Sequence, residues 1–319
     1  MHSLSWTTRV ISRALRSGFS TLLETTSNAT ANVSNASKQR PHFVSVVCGF
    51  PKDFLTSKYK PGKYGEDSWF KTSTTNADVL GVADGVGGWR NYGIDPGEFS
   101  SFLMKTCERL VHCVNFNPQR PVNLLAYSYC ELLEQKKPIL GSSTACVLVL
   151  NRENSTVYTA NIGDSGFMVV REGEIIHKSE EQQHYFNTPF QLSLPPPGHG
   201  HNVLSDSPDS ADTLSFSVME GDVILVATDG VFDNVPERLL LDVLKECEGV
   251  TDPVKLQMTA NSLALMARSL SFDSEFMSPF AINARRNNIN ATVCNLYLYK
   301  KARNEAEKML QYDYRRRSS

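Results

Sequence analysis

Two segments of the chain carry one pattern, an apolar run that ends in Asp-Gly-Val. It reads Val79-Leu80-Gly81-Val82-Ala83-Asp84-Gly85-Val86 and again Val223-Ile224-Leu225-Val226-Ala227-Thr228-Asp229-Gly230-Val231. Short Val- and Ile-rich runs bounded by glycine read as buried strands. A buried strand holds the carboxylate at its exit rigidly, and the adjacent glycine permits a sharp turn and close backbone approach. A single Asp-Gly is an ordinary turn dipeptide; two at the exits of apolar strands point to a place built for an ion.

Further acidic candidates stand in Glu66-Asp67, in Asn161-Ile162-Gly163-Asp164-Ser165-Gly166 and in Phe232-Asp233-Asn234. Carboxylates and backbone carbonyls are hard donors that suit Mg2+ or Mn2+, whereas zinc sites recruit His and Cys. The seven histidines form no paired motif beside these strands. Aspartates holding two such cations would acidify a shared water and neutralise phosphoryl oxygens, the two-metal logic of phosphate-ester hydrolysis. Competing signatures are missing. There is no GxxxxGK[ST] phosphate loop and no Gly-x-Ser-x-Gly elbow. Gly85-Val86-Gly87-Gly88 lacks a phosphate-loop lysine, and nothing signals a cysteine nucleophile.

The pattern predicts strands at 43–48, 79–83, 145–150, 157–162, 166–171 and 223–228, and helices over 100–114, 124–135, 236–247 and 253–269. Strands in hairpin-like pairs with helices grouped between them imply an α+β layered sandwich and not a regular βαβ alternation. Between 180 and 212 the chain turns polar and proline-rich, with Asp206, Asp209 and Asp212 expected as solvated loop charges on a flap or insertion.

The ends read differently from the body. From Met1 to Leu23 there is no acidic residue, while Arg9, Arg13 and Arg16 recur at helical spacing opposite Leu4, Ile11, Leu15 and Leu22. A cationic amphipathic leader followed by a Ser/Thr-rich linker matches a mitochondrial presequence and implies delivery to the matrix; an ordinary surface helix is the alternative. The expected organisation is a leader and linker over 1–41, one catalytic domain over 42–299 and a basic tail over 300–319. The net charge of -2 argues against a nucleic-acid partner. No apolar run reaches the roughly 18 residues a membrane span needs. Seven cysteines, an odd number with no CxxC pair, read as mostly buried thiols in a reducing compartment.

Taken in order, Gly65-Glu66-Asp67, Val82-Ala83-Asp84-Gly85-Val86-Gly87-Gly88, Gly141-Ser142-Ser143-Thr144-Ala145, Asn161-Ile162-Gly163-Asp164-Ser165 and Thr228-Asp229-Gly230-Val231-Phe232-Asp233-Asn234 resemble the type 2C (PPM) metal-dependent serine/threonine protein phosphatases. Gly87-Gly88-Trp89 and Gln182-Gln183-His184-Tyr185-Phe186-Asn187 are similar to the mitochondrial PTC-seven-like branch. The resemblance implies a four-layer αββα sandwich with two central, mainly antiparallel sheets flanked by helices. It implies two Mn2+ or Mg2+ ions per active site and phosphoprotein substrates. Asp84 would bridge both metals, the Gly85 carbonyl would bind one and Asp229 the other. Asp67 would contact metal-bound water, and Asp164 and Asp233, with Asp229, match positions of a weaker third metal.

The chain departs from the family's pattern twice. An arginine expected four residues before Glu66 is Gly62, leaving Lys60 or Lys63 as point charges without a guanidinium fork. The closing Asp-Asp/Asn-apolar-Ser/Thr-Val motif is replaced by Ile289-Asn290-Ala291-Thr292-Val293. Isoleucine cannot ligate a metal, and the neutral carbonyls of Asn288 or Asn290 would hold the second cation less tightly. The alternative to a working phosphatase is therefore a catalytically weak phosphatase-fold protein that binds phosphoproteins or partners.

Overall fold

The computed structural model describes residues 40–51, 64–198 and 203–289. The presequence segment, Lys60, Gly62, Lys63, the 291–299 strand motif and the basic tail lie outside them.

The strands in chain order are β1 (Asp67–Ser73), β2 (Ala77–Asp84), β3 (Gly141–Ser143), β4 (Ala145–Asn151), β5 (Thr156–Ile162), β6 (Gly166–Arg171), β7 (Glu174–Lys178), β8 (Gln183–Tyr185), β9 (Thr188–Pro189), β10 (Leu192–Leu194), β11 (Ser215–Ser217) and β12 (Val223–Ala227). The helices are α1 (Pro96–Leu110), α2 (Pro121–Leu133), α3 (Asp229–Phe232), α4 (Glu237–Leu244), α5 (Pro253–Ser271) and α6 (Pro279–Arg286). One antiparallel sheet has the order β1-β2-β4-β5-β11 and a second the order β12-β6-β7.

Side-chain alternation along β4 explains the layering. Ala145, Val147 and Val149 pack with Phe99, Leu103 and Met104 of α1 and Leu124 and Leu125 of α2. Cys146, Leu148 and Leu150 point the other way and meet Phe167 and Val169 of β6. Because both faces are covered, all seven residues of β4 are buried, which is why its sequence is continuously apolar instead of alternating. The alternation repeats in β6, where Met168 and Val170 turn away from β4 and pack with Leu240 and Leu244 of α4 and Leu263 and Ala267 of α5. The layers are thus helices, sheet, sheet, helices: an α+β αββα sandwich. Burying each large aliphatic side chain contributes about 1.5–3 kcal/mol before the entropy cost of ordering it.

Most expected elements form, with shifts at their ends. Helix α1 begins at Pro96, not at residue 100, because Asp95 caps it by accepting the Gly97 N–H at 3.0 Å and proline sits in the first turn. The strand expected at 43–48 does not form. Its backbone is met by side chains instead of a ladder: the Phe43 N–H donates to Asp78 Oδ2, Lys71 Nζ donates to the Ser45 carbonyl, and Gln257 Nε2 donates to the Val47 carbonyl.

The 180–212 segment is more ordered than a solvated flap. β10 pairs with β3, and Asp206 Oδ2 accepts from the Gln191 N–H at 2.8 Å and lies 3.0 Å from His184 Nε2. Asp206 is therefore a clamp and not a loop charge, and Asp212 joins Asn161 through paired backbone hydrogen bonds. Among the described cysteines, Cys107, Cys146 and Cys247 are buried, but Cys113 and Cys130 are exposed. Among the described residues no helix is long and apolar enough to cross a membrane.

Candidate active site

Antiparallel pairing of β1 with β2 sets Asp67 directly opposite Asp84 at the end of the first sheet. Beyond Asp84 the chain turns at Gly85, whose N–H donates to the Glu66 carbonyl at 3.1 Å. A side chain at Gly85 would meet the Pro96 carbonyl oxygen at 2.4 Å, so the start of α1 can sit against this turn only because the residue is glycine. Ser100 of α1 donates its hydroxyl to the Glu66 carbonyl at 2.6 Å.

The Gly141-Ser142-Ser143-Thr144 motif is the bracket around this corner. The Asp84 carbonyl accepts from the Thr144 N–H at 2.9 Å and from the Ser143 hydroxyl at 2.9 Å, while the Asp84 N–H donates to Thr144 Oγ1 at 3.1 Å. Asp84 is thus held on its backbone from both sides, and its Oδ1 is buried and takes no hydrogen bond. Ser142 accepts from the Trp89 indole at 2.7 Å and donates to Gln191 Oε1 at 2.6 Å, tying the turn after Gly85 to β3 and to the 180–212 segment.

Thr144 Oγ1 also lies 2.7 Å from Ser165 Oγ. That contact joins the first sheet to the turn that carries Asp164 into β6. β6 pairs with β12 so that Gly166 faces Ala227. Asp164, just before β6, and Asp229, just after β12, therefore leave the second sheet at the same end. Asp229 opens α3, and Asp233 caps its far end, where the Asp233 carbonyl accepts the Phe280 N–H of α6 at 3.0 Å.

The expected residues thus fall into two groups: Asp67, Asp84 and Gly85 at strand ends of the first sheet, and Asp164 and Asp229 beside strand ends of the second, with Asp233 at the far end of α3. Among the described residues no three His, Cys, Asp or Glu side chains converge into a ready-made metal cluster. The donor chemistry nevertheless fits Mg2+ or Mn2+, since hard oxygens are what these ions take, and Mg2+ commonly uses one or two carboxylates and keeps several waters.

Sequence reading missed three contributors. Arg90 forms an ion pair with the buried Glu66, Nε to Oε1 2.6 Å. Gln191 ties β10 to Ser142. Burial raises the Glu181 carboxyl pKa, Lys178 opposes that, and the Asp229 charge adds a lesser upward push. The Gly-Gly-Trp-Arg run was the available signal for the first; the other two depend on long-range packing. Ile289, at the position of the missing ligand, packs against the buried pair Phe280 and Ala284, as Phe186 does, and Asn288 takes a left-handed conformation (φ 60°) after α6. Asn290 lies outside the described residues.

A four-layer sandwich with aspartates leaving both sheets at strand ends is the arrangement that the resemblance to the type 2C phosphatases implies. The X-ray structure of the photosystem II phosphatase PBCP is similar to this chain, with a TM-score of 0.59 and 30% identity over 70% of this chain and 80% of that one. The Homo sapiens protein named Protein phosphatase PTC7 homolog is 55% identical over 248 residues, 77% of this chain and 81% of its own length. The Drosophila ananassae protein named Protein phosphatase PTC7 homolog fig is 47% identical over 253 residues, 79% of this chain and 76% of its own length. No protein-family model matches. The chain belongs to the PTC7 family of protein phosphatases.

Proposed function

We propose that this phosphatase hydrolyses phosphoserine and phosphothreonine in proteins, with Asp84, the Gly85 carbonyl and Asp229 as the donors for a binuclear Mn2+ or Mg2+ centre. Asp67 orients a water beside Asp84, and Asp164 and Asp233 flank Asp229. The observation that carries this reading is the hydrogen-bonded path from the Asp84 backbone through Thr144 to Ser165, which ties the carboxylate-bearing ends of the two sheets to one another. Two such cations supply an acidified water and neutralise phosphoryl oxygens. The chain's own part is to hold the donors still: the β1–β2 register sets Asp67 against Asp84, and Gly85 brings its backbone close under α1. Ile289 brings no negative charge, so the cations are held less tightly than a further aspartate would hold them.

The test is phosphate release from a phosphothreonine peptide across a Mn2+ titration, for the full chain, Asp84→Asn and Ile289→Asp. Metal-dependent release that Asp84→Asn abolishes is expected, with Ile289→Asp lowering the Mn2+ midpoint. A folded chain that stays inert at saturating Mn2+ would overturn the reading. The names of the relatives favour the enzyme over a phosphoprotein-binding protein without turnover.

We further propose mitochondrial delivery, on the strength of the cationic amphipathic pattern of the leader. Residues 1–41 fused to a reporter should carry it into isolated mitochondria in a potential-dependent manner. A reporter left outside would sink the proposal.

A further inference from the structure

A backbone carbonyl serves a cation well only if its peptide plane is held, and the plane that carries the Gly85 carbonyl also carries the Val86 N–H. That N–H donates to the Ser142 carbonyl of β3 at 3.0 Å. Among the described residues no peptide bond is cis, so the N–H and the carbonyl leave this plane in opposite directions. The Gly85 carbonyl therefore points away from β3. Val86 is held at its other end as well, since its own carbonyl accepts the Trp89 N–H at 3.3 Å, which opens the 3-10 turn Gly87–Tyr92.

Ser142 is in turn fixed through its hydroxyl. The residue is fully buried, and Trp89 and Gln191 are buried beside it. An indole N–H can only donate, so the Ser142 oxygen accepts from Trp89 at 2.7 Å and its own proton goes to Gln191 Oε1 at 2.6 Å. A ring of hydrogen bonds results, running from the Val86 N–H to Ser142, from Ser142 to the Trp89 indole, and from the Trp89 backbone back to Val86. Gln191 anchors that ring to the 180–212 segment. Its side-chain amide donates to the Pro189 carbonyl at 3.1 Å, its N–H donates to Asp206 Oδ2 at 2.8 Å, and its carbonyl accepts the Asp206 N–H at 2.8 Å.

We propose that Ser142, Trp89 and Gln191 are positioning residues for the Gly85 carbonyl, so that a side chain of the 180–212 segment helps set how tightly the centre holds its cation. The proposal rests on the metal-centre reading above. The alternative is a purely structural role, in which the ring supports the fold without affecting cation binding. Two measurements on the full chain separate them: a calorimetric Mn2+ titration, and amide exchange at Val86 relative to the amides of β4, followed by NMR in the metal-free chain.

Gln191→Met keeps the length of the side chain but gives the Ser142 proton no acceptor, and Trp89→Phe keeps an aromatic ring but removes the indole donor. Each should weaken Mn2+ binding by about tenfold, the low end of what groups behind a metal ligand contribute. Each should also speed Val86 exchange by roughly tenfold, the scale of one hydrogen bond. Combined, the two should weaken Mn2+ binding by less than the product of the single effects, because both act through one hydroxyl. Leu148→Ala, in the inter-sheet core, should lower the melting temperature and leave Mn2+ affinity unchanged. Unchanged Val86 exchange in both single variants would overturn the relay, whatever the metal does. Faster exchange with wild-type Mn2+ affinity, or equal weakening in Leu148→Ala, would overturn its role in cation binding. Mn2+ binding that Asp84→Asn leaves untouched would sink the metal-centre reading and the affinity claim with it, while faster Val86 exchange in the same chain would leave the ring's hold on the Gly85–Val86 peptide standing.

Discussion

The two sheets hold their aspartates in different ways. In the first, β4 is buried along its whole length, and the Asp84 backbone is braced by three hydrogen bonds with Ser143 and Thr144. In the second, Val223, Ile224, Leu225 and Val226 of β12 are only half-buried, and Asp229 opens a helix of four residues. The difference teaches that one half of the site is set by packing and the other by a short turn. The first can position a donor to within the tolerance of a packed core; the second can adjust.

Activity offers the widest contrast between the halves. Asp84→Asn should lower Mn2+-dependent turnover by about a thousandfold or more, comparable to or beyond the loss of one preorganised electrostatic group. Asp229→Asn should lose less and show a higher Mn2+ midpoint. Equal losses with equal midpoints would erase the distinction.

Stability comes next. Leu148→Ala in the inter-sheet core should cost about 2–5 kcal/mol in urea unfolding, and Val226→Ala distinctly less because its smaller side chain is only partly buried. The reverse order would show that the second sheet, and not the first, is the stiffer element.

The bracket between the sheets is a smaller effect. Thr144→Ala leaves the Asp84 N–H without its side-chain acceptor and should cost about 1–3 kcal/mol, with Thr144→Ser recovering most of it. A neutral Thr144→Ala would show that the link to Ser165 carries no energy.

Thiol chemistry should report the packing with the least perturbation. Burial pushes the Cys107 thiol up to about 12, opposed in part by a hydrogen bond with Ser128, and burial raises Cys146 too. A raised thiol pKa leaves almost no thiolate between roughly pH 6 and 9, so both should resist alkylation until the chain unfolds. Exposed Cys113 and Cys130 should label first, as mass spectrometry after a timed pulse would show. Rapid labelling of Cys146 would mean that the sheets part readily.

Much of this was legible before any coordinates. The short apolar runs of β2, β4, β5, β6 and β12 announce strands, and four helices are visible in outline. What was missed shares a cause. The 43–48 run is apolar enough for a strand, but side chains from Asp78, Lys71 and Gln257 take up its backbone groups. Asp206 looked like a solvated charge because its partners, His184 and Gln191, are remote in sequence. Helix α6 is short, and its docking to Asp233 is a tertiary contact.

The sequence by itself determined which residues can bear the chemistry: aspartates after apolar strands, the glycine that lets α1 approach, and the absence of a carboxylate at Ile289. Local pattern is enough for these, since strand burial and turn geometry are properties of a few neighbouring residues. Only the tertiary structure decided how they meet. The register that sets Asp67 against Asp84, the Thr144–Ser165 contact between the sheets and the grip of Glu66 on Arg90 all join residues far apart in the chain, and such contacts exist only once the layers have packed.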